Sequence, residues 1–194
     1  KAAEDIINGA SFDNNLPCIS EKEVIVVEQV ADQLIHYMVG ENDCYMLTDQ
    51  RLIDRLAEIV LVDKNGKKVI SRDYVGKDAD YILRALGIEA SPNTKCIIFE
   101  GTKDNILIRT ELMMPILGIV RVKDVDEGIK VAKELEGGNH HSAHMHSTNV
   151  LNLTKYGREL DTAIFVKNAP SYAGLGFGGE GFTTFTIASR TGEG

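Results

Sequence analysis

Short apolar runs alternate with stretches of helical periodicity along nearly the whole chain, and this alternation narrows the fold more than any single motif. Residues 24–28, 96–100 and 116–122 read as buried strands. Between the first two, Val30, Leu34 and Met38 recur at i+4 in a helix that Gly40 ends. Leu52, Leu56, Ile59 and Val60 form the stripe of a second helix, with Thr48 or Asp49 as N-cap. Residues 1–8 read as the end of a helix closed by Gly9, and Asn65-Gly66 as a turn. Asp78 starts a short helix through Ile82, Leu83 and Leu86, with Gly87 at its C-terminal cap.

Further along, Asp124 and Glu127 have capping-box spacing at the head of a helix that places Val125, Ile129, Ala132 and Leu135 on one side, before Gly137. Residues 142–147 alternate as a strand, 149–158 follow as a helix, and 163–167 and 182–188 read as the last two strands. Strands separated by helices need crossover connections. The expected fold is therefore α/β, a layered, mostly parallel sheet flanked by helices.

A chain of 194 residues with 43% hydrophobic and 26% charged residues can bury one substantial core. Its net charge of -8, with no basic cluster to offset it, argues against nucleic acid or an anionic membrane as main partner. The longest apolar run, residues 112–120, is interrupted by Pro115 and falls well short of the ~20 residues that span a bilayer. The first residues carry Glu4 and Asp5 and no apolar core of a secretory signal. Cys18, Cys44 and Cys96 have no C-x-x-C spacing, which argues against a disulfide framework or a thiolate zinc site and fits a reducing cytoplasm. The chain opens on Lys1 in a helical pattern and stops soon after a strand, so a segment of a longer protein is expected, with residues 1–194 forming one domain of it.

Four constellations carry candidate chemistry. Cys18 follows Asn14, Asn15 and Pro17, which are turn residues, just before a strand-like run. A lone cysteine is more often a small buried hydrophobe. This one sits where the chain bends and a substrate can reach a nucleophile. Glu111 precedes the strand from Ile116, near a strand end, and a carboxylate there can accept two hydroxyl protons of a ribose diol; taken alone it reads as a solvated loop charge. His144 and His146 share one strand face at a spacing that can bind zinc, with His140 or His141 as a third ligand, but no local carboxylate completes the set and no metal is expected. Gly174, Gly176 and Gly179 spell G-x-G-x-x-G. A strand-like run follows them rather than the helix a dinucleotide fingerprint requires, so they read as a close-approach loop walling a site.

Taken in order, residues 12–23, 111–122, 141–153 and 164–194 resemble the aldehyde dehydrogenase superfamily, and within it the CoA-acylating branch of propionaldehyde and acetaldehyde dehydrogenases of bacterial diol and ethanolamine breakdown. The resemblance implies the thiol-bearing catalytic domain of a two-domain enzyme that uses NAD and coenzyme A to oxidise a short aliphatic aldehyde to an acyl-CoA. It implies Cys18 as the nucleophile that carries the acyl group, and Glu111 as the glutamate of an E-x-F-G-P motif that holds the nicotinamide-side ribose. It also implies a homo-oligomer in the full-length enzyme, with a cytoplasmic location that extends to a bacterial microcompartment. Met113 stands where the superfamily usually has phenylalanine, and Gly118 where acylating relatives often have proline. A non-acylating dehydrogenase that releases a carboxylic acid, a histidine metal-binding domain and a non-enzymatic contact domain are the alternative readings.

Overall fold

The computed structural model describes residues 1–178. The chain runs through α1 (Ala2–Ser11), β1 (Glu23–Val27), α2 (Glu28–Glu41), β2 (Cys44–Leu47), α3 (Gln50–Val60), β3 (Leu61–Lys64) and β4 (Lys67–Ile70). It continues through α4 (Ala79–Ala85), β5 (Cys96–Glu100), α5 (Ile106–Arg109), β6 (Ile116–Val122), α6 (Val125–Glu136), β7 (Ser142–Met145), α7 (Val150–Leu160) and β8 (Ile164–Lys167). Short 3-10 turns cover Phe12–Asn15 and Ser171–Leu175.

Four strands form a parallel sheet in the order β1-β6-β5-β2, and β7 pairs parallel with β8 in a separate ribbon. Period-2 side-chain alternation splits the large sheet between two cores. Ile97 and Phe99 of β5 and Ile116 and Val120 of β6 pack against Ile53 and Leu56 of α3 and Ile82 and Leu83 of α4. On the opposite face Ile98, Leu117, Ile119, Val24 and Val26 meet Ile6 and Ile7 of α1 and Ala31 and Met38 of α2. Both faces are covered, which is why these strands read as continuous apolar runs. A third cluster, Ile129, Ala132, Ala143 and Leu160, joins α6 and α7 to the β7–β8 ribbon.

The expected α/β class with a mostly parallel sheet is the observed one, and the strands over β5 and β6 match residue for residue. Asp49, Asp124 and Asn149 cap α3, α6 and α7 through their side chains, and Gly137 closes α6 in the left-handed region. Two glycines did not act as stops: α1 runs through Gly9 to Ser11, and α2 through Gly40 to Glu41. Glu28 begins α2 rather than ending β1. Val30, read as part of the apolar stripe of α2, is 51% exposed, because Ala31 and Met38 define the buried face. Strand β2 and the β3–β4 hairpin around Asn65-Gly66 add to the expected elements. The strand expected over residues 182–188 lies outside the described residues.

Candidate active site

The approach to Cys18 is built from three consecutive residues in the left-handed region: Asp13 (φ 47°), Asn14 (φ 50°) and Asn15 (φ 66°). Asp and Asn are the non-glycine residues that visit this region most readily, which explains their run here. Ser20 N–H then donates to the Pro17 carbonyl at 3.0 Å, placing Cys18 and Ile19 at the centre of a turn. Ile19 points inward at 2% exposure, while Cys18 stands exposed. Cys44 and Cys96 are buried neighbours on β2 and β5; burial pushes the Cys44 thiol up to about 12 and the Cys96 thiol well above its ordinary value.

Beneath the thiol turn every polar group of the buried Asn15 side chain is used. Its amide donates to the carbonyls of Ala10 and Glu21, each at 2.8 Å, and its Oδ1 accepts from Lys22 Nζ at 2.8 Å. Asn14 reaches sideways, donating to the Gly76 carbonyl (3.1 Å) and to Asp78 Oδ1 (2.7 Å). Gly76 N–H in turn donates to the Met113 carbonyl at 3.0 Å. The segment around Gly76 therefore clips the thiol turn to the Glu111–Pro115 stretch, where Met113 also takes a positive φ of 55°.

Glu111 is exposed, and its Oε1 lies 3.7 Å from Lys22 Nζ. Both predicted residues come to one edge of the sheet, at the amino ends of β1 and β6, which are hydrogen-bonded neighbours. Ligand sites in open parallel sheets generally lie at carboxyl ends. Here the site is made instead by the loops that lead into the strands.

Among the described residues, a cleft of about 1050 Å³ is lined by Cys18, Lys22, Glu111, Glu23, His144 and His146 together with apolar walls. The histidine strand thus faces the cavity that holds Cys18. His144 is half-buried, and burial first, then the neighbouring His146 and His141, pushes its pKa down to about 4. His146 Nδ1 is 3.8 Å from Asp5 Oδ2. The Nε2 atoms of His144 and His146 have no hydrogen-bond partner among the described residues. No set of three or more His, Cys, Asp and Glu side chains among the described residues is placed to hold a metal ion.

The glycine-rich segment, over its described part up to Gly178, packs against the approach to the thiol turn, and no described residue of it lines the cleft. Phe12, just before the thiol turn, packs against Tyr172 (ring centroids 5.3 Å) and Phe177 (5.9 Å). Ser171 N–H donates to Glu21 Oε1 at 3.0 Å in the interior. Burial raises the Glu21 carboxyl to about 7, opposed by hydrogen bonding from Ser171. Burial also raises Glu23 to about 7. Gly9 is what makes room for Glu21, because a Cβ there would collide with its carboxylate. Gly118 likewise admits Ile108, so its departure from proline is used in packing.

Sequence reasoning singled out Cys18 and Glu111, read Asn15 only as a turn residue and gave no role to Glu21 or Lys22. A signal was present: a charged triplet, Glu21-Lys22-Glu23, at the threshold of a strand buried on both faces. Charges in that position need internal partners.

No family model matches the chain. The acetylating acetaldehyde dehydrogenase of Escherichia coli is 46% identical over 196 residues, covering 100% of this chain and 42% of that protein. A propionaldehyde dehydrogenase structure from the fucose utilisation bacterial microcompartment of Clostridium phytofermentans superposes with a TM-score of 0.94 at 56% identity, covering 100% of this chain and 43% of that one. A Rhodopseudomonas palustris propionaldehyde dehydrogenase, solved with CoA bound and a cysteine acylated, superposes with a TM-score of 0.93 at 48% identity, again over 100% of this chain and 43% of that one. The chain thus spans less than half the length of the relatives it matches. Over its whole length the chain is a homologue of one continuous segment of the CoA-acylating aldehyde dehydrogenases.

Proposed function

We propose that the intact protein carrying this chain oxidises a short aliphatic aldehyde with NAD and coenzyme A to the acyl-CoA, and that residues 1–194 form its thiol-bearing domain. The observation that carries this reading is the exposed Cys18 on a fully braced turn, facing a cleft that it shares with Glu111. The relatives' aldehyde specificity and the acylated cysteine of the Rhodopseudomonas palustris structure support the same chemistry.

Cys18 Sγ attacks the aldehyde carbonyl carbon as a thiolate, forming a C–S bond and a tetrahedral alkoxide. The Cys18 backbone N–H serves as one donor to that oxyanion. As the alkoxide collapses, the carbon loses hydride and becomes a thioester on Cys18. Bound NAD supplies the hydride acceptor, and coenzyme A supplies the thiol that releases the acyl group. Glu111, an exposed carboxylate on the rim of the cleft, fits a ribose diol because it can accept two hydroxyl protons.

No helix among the described residues is long and apolar enough to cross a membrane. The microcompartment origin of the Clostridium phytofermentans relative supports a cytoplasmic place for this protein, inside such a compartment. The test of the catalytic reading is a product assay on the intact protein. Propanal, NAD and coenzyme A are expected to yield NADH and propanoyl-CoA, and Cys18→Ala to abolish both while NAD still binds. Turnover that survives Cys18→Ala, or acid formed at full rate without coenzyme A, overturns it.

A further inference from the structure

Lys22 is four residues past Cys18 in sequence and beside Glu111 in space. Its ammonium has three donors to place. Asn15 Oδ1 lies at 2.8 Å, the Asn15 carbonyl at 3.2 Å and the Pro17 carbonyl at 3.4 Å, all within the thiol turn. On its remaining side Glu111 Oε1 lies at 3.7 Å. The Lys22 side chain is 19% exposed, against 58% for Glu111. This differs from a surface ion pair, which is worth little because water screens both charges. Burial lowers the pKa of Lys22, and the charges of Glu111 and then Cys18 are the chief electrostatic influences holding it up. The cation, the thiol and the carboxylate therefore lie within one another's field.

We infer that Lys22 is a positioning residue that holds the Cys18 turn and the Glu111 carboxylate in a fixed relation, and divides its charge between them. The turn has no secondary-structure ladder of its own at Pro17 and Cys18. The ammonium gathers two carbonyls on the approach to the bend, those of Asn15 and Pro17, and so sets the direction in which Cys18 projects. The same ammonium draws the exposed Glu111 toward the cleft rather than toward solvent. Nucleophile and cofactor-side carboxylate are spaced by one side chain.

The inference rests on the roles given to Cys18 and Glu111 above, and its test needs no turnover. In the intact protein, the rate of Cys18 alkylation by iodoacetamide is measured for the parent, Lys22→Met, Lys22→Arg and Glu111→Gln. Lys22→Met is expected to slow alkylation by about fivefold, because the turn that presents Cys18 loses the ammonium that fixes it. Lys22→Arg, which keeps the charge, restores most of that loss. Glu111→Gln is expected to speed alkylation by about threefold, because Lys22, no longer drawn toward a carboxylate, closes more firmly on the thiol turn.

A strut with a purely structural role would not produce opposite changes from the two partners. Should Lys22→Met fail to fold, Glu111→Gln still decides, since Glu111 is exposed and its replacement leaves the core untouched. An unchanged or slower rate in Glu111→Gln overturns the proposal. In steady state, Lys22→Met and Glu111→Gln should each raise the KM for NAD, and the double variant should be no worse than the poorer single variant. Fully multiplicative effects overturn the coupling. Turnover surviving Cys18→Ala would instead remove the catalytic reading and leave the alkylation test standing.

Discussion

Glu21 and Ser171, 150 positions apart in sequence, are joined in the interior by a hydrogen bond from the Ser171 backbone N–H to Glu21 Oε1 at 3.0 Å. Glu21 belongs to the segment leading from the thiol turn into β1, and Ser171 opens the 3-10 turn that begins the glycine-rich segment. The bond ties that segment to the nucleophile's own loop. Its acceptor is a carboxyl that burial has raised to about 7 from an ordinary 4.5, and its second oxygen has no partner among the described residues.

That raised pKa has a definite sign for stability. An acid harder to ionise in the folded state stabilises the fold below its unfolded value, and the benefit is lost as pH rises through the folded value. Between pH 4.5 and about 7 the parent should therefore lose about 3 kcal/mol relative to Glu21→Gln, which does not titrate. Urea midpoints of the intact protein at pH 5 and pH 8 check this. The gap between variant and parent should move in favour of the variant at the higher pH.

His144 works in the opposite direction. Its pKa falls to about 4 from 6.5 because burial and the neighbouring His146 and His141 disfavour the imidazolium. The stability it contributes is present above pH 6.5 and lost as pH falls towards 4. His144→Gln should flatten the acid limb of thermal stability over that window. An acid limb as steep as the parent's would show that another group governs it.

The three cysteines should be cleanly separable by reagent. Iodoacetamide added to native protein should label Cys18 alone, because Cys18 is exposed whereas Cys44 and Cys96 are buried with raised thiol pKa values. Peptide mapping should find the other two modified only after denaturation.

Asn15 is the keystone under the turn, and Asn15→Ala would leave two backbone carbonyls and the Lys22 ammonium short of a partner. Loss of a buried, fully bonded amide should cost about 2 to 4 kcal/mol by denaturant unfolding. Asn15→Asp keeps the acceptor for Lys22 but sets a carboxylate oxygen against the Ala10 and Glu21 carbonyls, and should recover none of the loss.

The layers of this fold were legible because their causes are local. Continuous apolar runs marked β5 and β6, and the cap at Asp124 and one at Thr48 or Asp49, of which Asp49 is the observed cap, marked two helix starts. The stop signals at Gly9 and Gly40 failed for a tertiary reason in the first case. Gly9 serves the approach of Glu21, a contact no local pattern reveals. Strand β2, with its Cys-Tyr-Met-Leu sequence, lacks β-branched residues and owes its place to pairing with β5. In the site, the turn and strand contexts of Cys18 and Glu111 only suggested them, and their proposed roles came from the ordered resemblance along the chain. Lys22 was not legible, since its significance lies in a neighbour that arrives from elsewhere in the chain.

The entry of Cys18 and Glu111 at the amino ends of two adjacent parallel strands has a bearing on how such a protein can change. The distance between the two groups is ruled off by the β1–β6 hydrogen-bond ladder, with Glu23 opposite Gly118. The chain from α2 through α5 departs from one of these strands and returns by the other, contributing β2 and β5 to the same sheet on the way. Loops in that excursion other than the one around Gly76, which clips the thiol turn to Met113, can lengthen or shorten while the baseline between thiol and carboxylate stays the same. Variation in the helical outskirts is thereby insulated from the chemistry, and substrate range can drift without the nucleophile losing its bearings.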